Sequence, residues 1–481
     1  MTNEIKALLP IDYLLYYGTF IDTPQLGQLQ VRFNRIVGVD NQGKIDFIDD
    51  NYDGDITSEA IIDYYKKCTK QNPENIQVSL ETSSTKFFIP GFIDTHIHAS
   101  QFPNVGIGLG IPLLDWLKKY TFPMENQLNS ENLDLVFHVY NEVISKTLKN
   151  GTTYASYYTN IDPVSTNIFT DLLLKLGQRG SVGKVCMNDN PEYKSYEEDF
   201  NTCKQSTTKV VDYIKNIDQQ GNRLVQPILT PRFAPVCTGE LLQFLGDFAN
   251  ENNLPIQTHI SENLQEIELV KTIFPNCKNY AEIYNQFNLL NDNTILAHAV
   301  YLNDSECKLI KQKNCSISHC PTSNTFISSG EAPIKKYLYQ DKINVSLGTD
   351  LSGGFESSIL GIIKHSILVS HHIAMKSNNM DDRLTIKEGI YMATQAGAIA
   401  VGLGQEIGTF EIGKKFDCQL INLATPQSNI SIFDWQLPKD IDSQDVKVSK
   451  LTDLLGKWVF NGDDRNCTKV WCNGRLVVQK C

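Results

Sequence analysis

The sequence predicts an α/β protein: a (β/α)8 TIM-like barrel with a small β-sandwich domain built from both chain ends. Two observations carry this expectation. Over roughly residues 86–405, apolar strand-like runs alternate with amphipathic helical runs, the pattern of a parallel sheet covered by helices. Residues 1–85 and 406–481 instead hold short strands separated by Gly, Asn and Asp. The expected division is therefore 1–85 and 406–481 as two parts of one β-domain, with 86–405 as the barrel.

Taken in order, Leu29–Phe33 and Lys44–Ile48 read as strands of the first segment. The barrel strands are expected at Phe87–His98, Thr152–Thr159, Val182–Asn188, Leu224–Phe233, Pro255–Glu262, Thr294–Leu302, Cys315–Thr322 and Asn344–Asp350. A helix is expected over Glu131–Asn150, capped by Ser130 and stopped by Gly151. Its apolar stripe would be Leu133, Val136, Phe137, Tyr140, Ile144 and Leu148. Asp162-Pro163 opens another, with a capping carboxylate before a proline at the first helical position. Near the C-terminus, Asn473-Gly474 lies between Lys469–Cys472 and Arg475–Gln479, the strongest short hairpin signal. On alternation alone, a doubly wound sheet is the competing architecture.

Composition narrows the function. The chain has 481 residues, 43 Lys+Arg against 55 Asp+Glu, and a net charge of −12. That balance argues against a nucleic-acid backbone as partner, since such a partner demands a basic face. No apolar run approaches the roughly 18 residues of a membrane span. Met1–Lys6 shows no secretion leader, and the tail Gln479-Lys480-Cys481 is no prenylation box. The twelve cysteines form no CxxC pair, which fits reduced, mostly buried thiols and a cytoplasmic location.

His96-Ile97-His98 ends the first expected barrel strand, and residues i and i+2 of a strand share a face. Alone, this reads more readily as two surface histidines after a buried strand. His259 ends the fifth strand with Glu262 three residues on; His298 ends the sixth and Asp350 the eighth. Four of the nine histidines thus fall at one end of the strands, where barrel active sites sit. Imidazole plus carboxylate, with no cysteine cluster, suits Zn²⁺ with a position open for water, and does not exclude iron. Such an ion lowers the pKa of a bound water to about 7.

Pro90–His98 (PGFIDTHIH), His259, His298 and Gly348-Thr-Asp350 resemble the metal-dependent amidohydrolase superfamily. His98-Ala-Ser-Gln101, Pro112–Leu117, Lys119–Pro123, Gly183–Met187, Thr230-Pro-Arg-Phe233, His259-Ile-Ser-Glu262 and Gly462–Asn466 resemble its guanine deaminase family, over nearly all of the chain from Pro90 onward. The resemblance implies one Zn²⁺ per chain on His96, His98, His259 and Asp350, because the fourth strand lacks the lysine of two-metal relatives; Lys184 reads as structural. It implies Glu262, His298 and Asp350 as catalytic groups: Glu262 a proton shuttle, His298 orienting the water. It also implies Gln101, Arg232 and Phe233, with His98, His259, Glu262 and Asp350, as the substrate site for a purine. Gln101 and Arg232 would both donate to its carbonyl. A homodimer and a role in purine catabolism follow from the likeness alone. Ala299 departs from the glycine expected after His298.

Trp116 and Phe122 read as helix and loop core. His319 reads as pocket lining or support, and His138, His365, His371 and His372 as helix residues. Competing functions are deamination or dechlorination of another heterocycle by the same superfamily, and a scaffold relative that has lost its ligands. The zinc cytidine-deaminase fold needs HxE and PCxxC, and neither appears.

Overall fold

At Gly91 the chain passes from one β-system to another. The computed structural model describes residues 12–218 and 224–480. The readings at Met1–Lys6 and Cys481 lie outside them. The single strand expected over Phe87–His98 is two strands, Lys86–Pro90 and Phe92–His98. The first pairs antiparallel with Cys418–Asn422 and the second runs parallel to Thr152–Tyr158. A Cβ at Gly91 would lie 2.1 Å from the Thr153 hydroxyl, so only glycine lets the two sheets meet this closely.

The mixed α/β architecture matches the expectation, and both chain ends join one outer sheet of eight strands. Its path runs from Arg475–Gln479 through Cys467–Cys472, Cys418–Asn422, Lys86–Pro90, Tyr13–Asp22 and Gln30–Asp40 to Ile45–Asp49, with Ile76–Leu80 beside Tyr13–Asp22. Aromatic rings fill one face: Tyr16 stacks on Phe416 at 4.4 Å, with Trp471 edge-on. Asn473 and Gly474 take φ of 51° and 74°, the two positive values that a tight hairpin turn needs.

Apart from this sheet, the parallel strands form two four-stranded groups. One orders Val225–Pro227, Arg179–Gly183, Thr152–Tyr158 and Phe92–His98; the other orders Ile256–Ile260, Thr294–His298, Ser316–His319 and Asn344–Leu347. Val185–Cys186 and Thr230–Pro231 form a further short pair. Among the described residues no strand ladder joins the two groups, although side chains do. The Thr95 hydroxyl contacts Ser318 Oγ at 2.7 Å and Ser346 Oγ at 2.8 Å, and it donates to the Leu347 carbonyl. The expected strand Leu224–Phe233 is two short strands, Val225–Pro227 and Thr230–Pro231; Pro227 still pairs with Val182, and between the two the Leu229 amide turns to donate to the Pro255 carbonyl.

Helices lie between most of these strands. The one expected at Glu131–Asn150 is Leu133–Lys149; Asn132 precedes it in place of Ser130 and makes no side-chain cap. Its buried face is Val136, Val139, Tyr140, Val143, Ile144 and Leu148, while Leu133 and Phe137 are exposed. Val139 and Val143 thus replace two members of the expected stripe. Each large apolar side chain buried there contributes about 1.5–3 kcal/mol. Pro163–Leu176 starts as expected, with the Asp162 carboxylate accepting from the Ser165 amide. Two helices, Ser58–Thr69 and Gln444–Asn461, lie in the segments expected to be all strand. The described cysteines are free thiols, all but Cys68 and Cys277 buried. No helix among the described residues is long and apolar enough to cross a membrane.

Candidate active site

The C-terminal ends of Phe92–His98, Ile256–Ile260 and Thr294–His298, with the loop after Asn344–Leu347, bring their polar residues to one place. That loop docks on the first strand: the Asp350 amide donates to the His96 carbonyl at 2.8 Å, and the His98 amide donates to the Leu351 carbonyl at 3.1 Å. Ser261, His298, Ala299 and Asp350 have φ of 48°, 73°, 50° and 45°. Left-handed backbone costs a non-glycine residue roughly 1–2 kcal/mol, and here it turns each strand end sharply over the site. It also accounts for glycine being expected at Ala299.

Asp350 Oδ1 lies 3.2 Å from His96 Nε2 and 3.3 Å from His98 Nε2, and Oδ2 lies 3.8 Å from His298 Nε2. The Nε2 atoms of His98 and His259 face each other at 3.2 Å. One donor atom from each of His96, His259, His298 and Asp350 lies within 4.8 Å of the others, so this group takes in His298, expected to orient the water, and does not include His98, expected as a ligand. Both ring nitrogens of His96, Nδ1 of His98 and Nε2 of His298 are buried without a hydrogen bond to the described residues. Buried nitrogens left unpaired are costly. Burial lowers the basicity of His96, His98 and His259, which keeps the rings neutral and their lone pairs free. Neutral imidazoles around a carboxylate are a donor set that fits Zn²⁺.

Neighbouring oxygens fix two of these rings. His259 Nδ1 is bonded to the Arg232 carbonyl at 2.7 Å, and His298 Nδ1 to Asn324 Oδ1 at 2.8 Å. Each bond places a proton on Nδ1 and leaves Nε2 for the site. Burial opposes ionisation of Asp350, yet the His96, His298 and His98 rings hold its carboxyl below the usual range. Glu262 goes the other way. Burial, then the charge of Asp350, pushes its carboxyl well above the usual range, although Ser329 donates to it at 3.2 Å. Its Oε2 is 3.4 Å from His298 Nε2. Burial likewise raises Asp94, to about 7; its carboxylate accepts from the Thr349 hydroxyl at 2.6 Å and from the His96 amide.

A cavity opens beside this cluster, lined by His98, Gln101, Arg232, Phe233, His259, Glu262 and Asp350 together with an apolar wall that includes Trp116. All the substrate-site residues expected from the sequence therefore share one cavity, with His96 and His298 behind it. Trp116, expected in the core, is 2% exposed and also faces this space. Phe122 lies beneath the Arg232 guanidinium at 5.1 Å. His319 lies outside the lining, where burial lowers its basicity to about 3. Lys184 is buried in an ion pair with Glu198, a structural role. The sequence reading gives no role to Asn324, Ser329, Glu125 or Asp94, although Asp94 lies within the Pro90–His98 motif.

The amidohydrolase family model matches residues 87–477. The chain belongs to the amidohydrolase family. Among relatives of this amidohydrolase, the probable guanine deaminase of Schizosaccharomyces pombe is 40% identical over 465 residues, 96% of this chain and 83% of its own length. The guanine deaminase of Dictyostelium discoideum is 39% identical over 466 residues, 96% of this chain and 98% of its own. The crystal structure of guanine deaminase from C. acetobutylicum, with bound guanine in the active site, superposes with a TM-score of 0.82 at 32% identity. That match covers 97% of this chain and all of the other.

Proposed function

We propose that this chain is a guanine deaminase, hydrolysing guanine to xanthine and ammonia in cytoplasmic purine catabolism. The observation that carries the reading is one cavity in which Arg232, Gln101 and Phe233 face a histidine–carboxylate cluster. Near 40% identity to proteins of that name over nearly the whole chain supports it.

One Zn²⁺ held by His96, His98, His259 and Asp350 would supply the Lewis acidity that makes a water nucleophilic near neutral pH. His298, turned by Asn324 toward Glu262 and Asp350, orients that water. As oxygen bonds to C2, His298 and Asp350 take the water proton and Glu262 delivers its own to N3. The Glu262 carboxylate so formed takes the proton of the new C2 hydroxyl and passes it to the amine, the C–N bond breaks, ammonia leaves as the C2 carbonyl forms, and the first water proton restores the Glu262 acid. A carboxyl held protonated by burial suits the first of these transfers. Phe233, at the edge of His259 with ring centres 6.2 Å apart, packs on the purine.

At the scale of the chain, we read the two parallel groups as one (β/α)8 barrel spanning 86–405, supported by the Thr95 bonds across their gap. Residues 1–85 and 406–481 would form the β-sandwich domain. The protein would act as a homodimer, on the family likeness alone. The test is metal analysis of purified protein coupled to ammonia release from guanine. One zinc per active chain is expected; two metals, both needed for turnover, would contradict the ligand set, and no ammonia from fully loaded protein would contradict the function.

A further inference from the structure

Glu125 carries no role in the chemistry above, yet it is fully buried beside the substrate cavity. Its Oε2 accepts from Arg232 Nη1 at 2.6 Å and its Oε1 from Arg232 Nη2 at 3.2 Å. The same Oε1 accepts from Gln101 Nε2 at 2.9 Å. One carboxylate therefore grips both residues expected to read the substrate. The helix that bears it, Phe122–Gln127, is itself tied down, because Asn160 Nδ2 donates to the carbonyls of Glu125 and Leu128.

Two consequences follow from donor chemistry. An ionised carboxylate only accepts, so it fixes which way the Gln101 amide points: nitrogen toward Glu125, carbonyl Oε1 left for the cavity that Gln101 lines. Arg232 spends two of its five N–H donors on Glu125 and keeps the others, and the pair together brings no net charge to the pocket.

We propose that Glu125 is a positioning residue that sets the hydrogen-bond polarity of the base pocket, presenting donors from Arg232 beside an acceptor from Gln101. That pattern complements a neutral lactam edge, a carbonyl next to a ring N–H, and on guanine this is O6 beside N1–H. Gln101 then receives a proton from the substrate instead of donating to its carbonyl. The proposal rests on the guanine deaminase reading and refines how that site selects its base.

The experiment compares kcat/KM for guanine, 1-methylguanine and 2-aminopurine, with ammonia as readout, in metal-loaded wild type, Glu125→Gln and Glu125→Asp. 2-Aminopurine keeps the reacting C2 amine but lacks the lactam. A site that hydrogen-bonds a substrate group rejects analogues lacking it by up to about 10⁴–10⁵-fold, so wild type should strongly favour guanine. Glu125→Gln should lower the guanine-over-2-aminopurine ratio at least tenfold, roughly one hydrogen bond to a charged group, chiefly through KM, and Glu125→Asp should restore part of it. A merely structural role would depress both substrates together and leave the ratio standing, which would overturn the proposal. Should the variants fail to fold, wild type alone decides: 1-methylguanine turned over within about threefold of guanine would contradict an acceptor facing N1–H. Wild type that ignores guanine altogether would instead sink the underlying function.

Discussion

Glu262 lies three residues beyond His259, on the left-handed turn at Ser261, which swings its carboxyl back over the strand end to 3.4 Å from His298. With its carboxyl held up by burial, the acid form is present below the raised pKa and is lost as pH rises through it, so kcat/KM should fall on the alkaline side. Glu262→Gln should keep fold and metal while losing roughly 10²–10⁴-fold in turnover. A metal-loaded variant with near-native rate would remove Glu262 from the chemistry. At this scale His96, His98, His259, His298 and Asp350 were legible because each follows an apolar strand-like run with a polar side chain, and Glu262 because it comes three residues after one of them; Arg232 was legible only through the family resemblance. Glu125 was not. A lone acid in a short helix carries no periodic signal, and its partners lie 24 and 107 residues away.

Among the elements, the terminal hairpin turns where Asn-Gly says it should. Gly474 has φ of 74°, and a Cβ there would meet the Gly43 backbone at 2.5 Å. Gly474→Ala should therefore destabilise the fold by about 1 kcal/mol or more, read as a lowered urea midpoint with the slope unchanged. Turn chemistry is local and so was readable; the helix Gln444–Asn461 shows the opposite case. It buries Leu451, Leu454, Leu455, Trp458 and Val459, a plain helical period, within a segment whose Gly, Asn and Asp spacing suggests strands. The exact strand ends were also hidden. Where the chain leaves one neighbour for another after Pro227 depends on which carbonyl the Leu229 amide meets, and that is a tertiary fact.

For the whole molecule, the outer sheet and the parallel strands are fastened by a buried ion pair. Arg179, on the third strand of the parallel group, donates from Nε to Asp417 Oδ2 at 3.0 Å, and both side chains are almost fully buried. Asp417→Ala leaves a guanidinium in that interior and should cost about 3–5 kcal/mol, measured by denaturant unfolding. A loss under 1 kcal/mol would mean the two sheets are held by packing alone. The alternation of strand and helix made the α/β class legible, and Asn-Gly with the short strands pointed to a shared β-unit at the two ends. The order and register of the strands in that unit were not legible, because pairing between residues more than 300 apart, such as Phe88 with Leu420, leaves no local trace. Selection of the base is measured directly by kcat/KM for guanine and adenine, by ammonia release, in metal-loaded wild type and Arg232→Ala. The reaction is aimed at C2, where adenine carries hydrogen, and the Arg232 donors would meet an amino group at C6. Wild type should turn over guanine with at least 10⁴-fold preference, and Arg232→Ala should lose guanine turnover without gaining adenine. Comparable rates on the two purines in wild type would contradict the account.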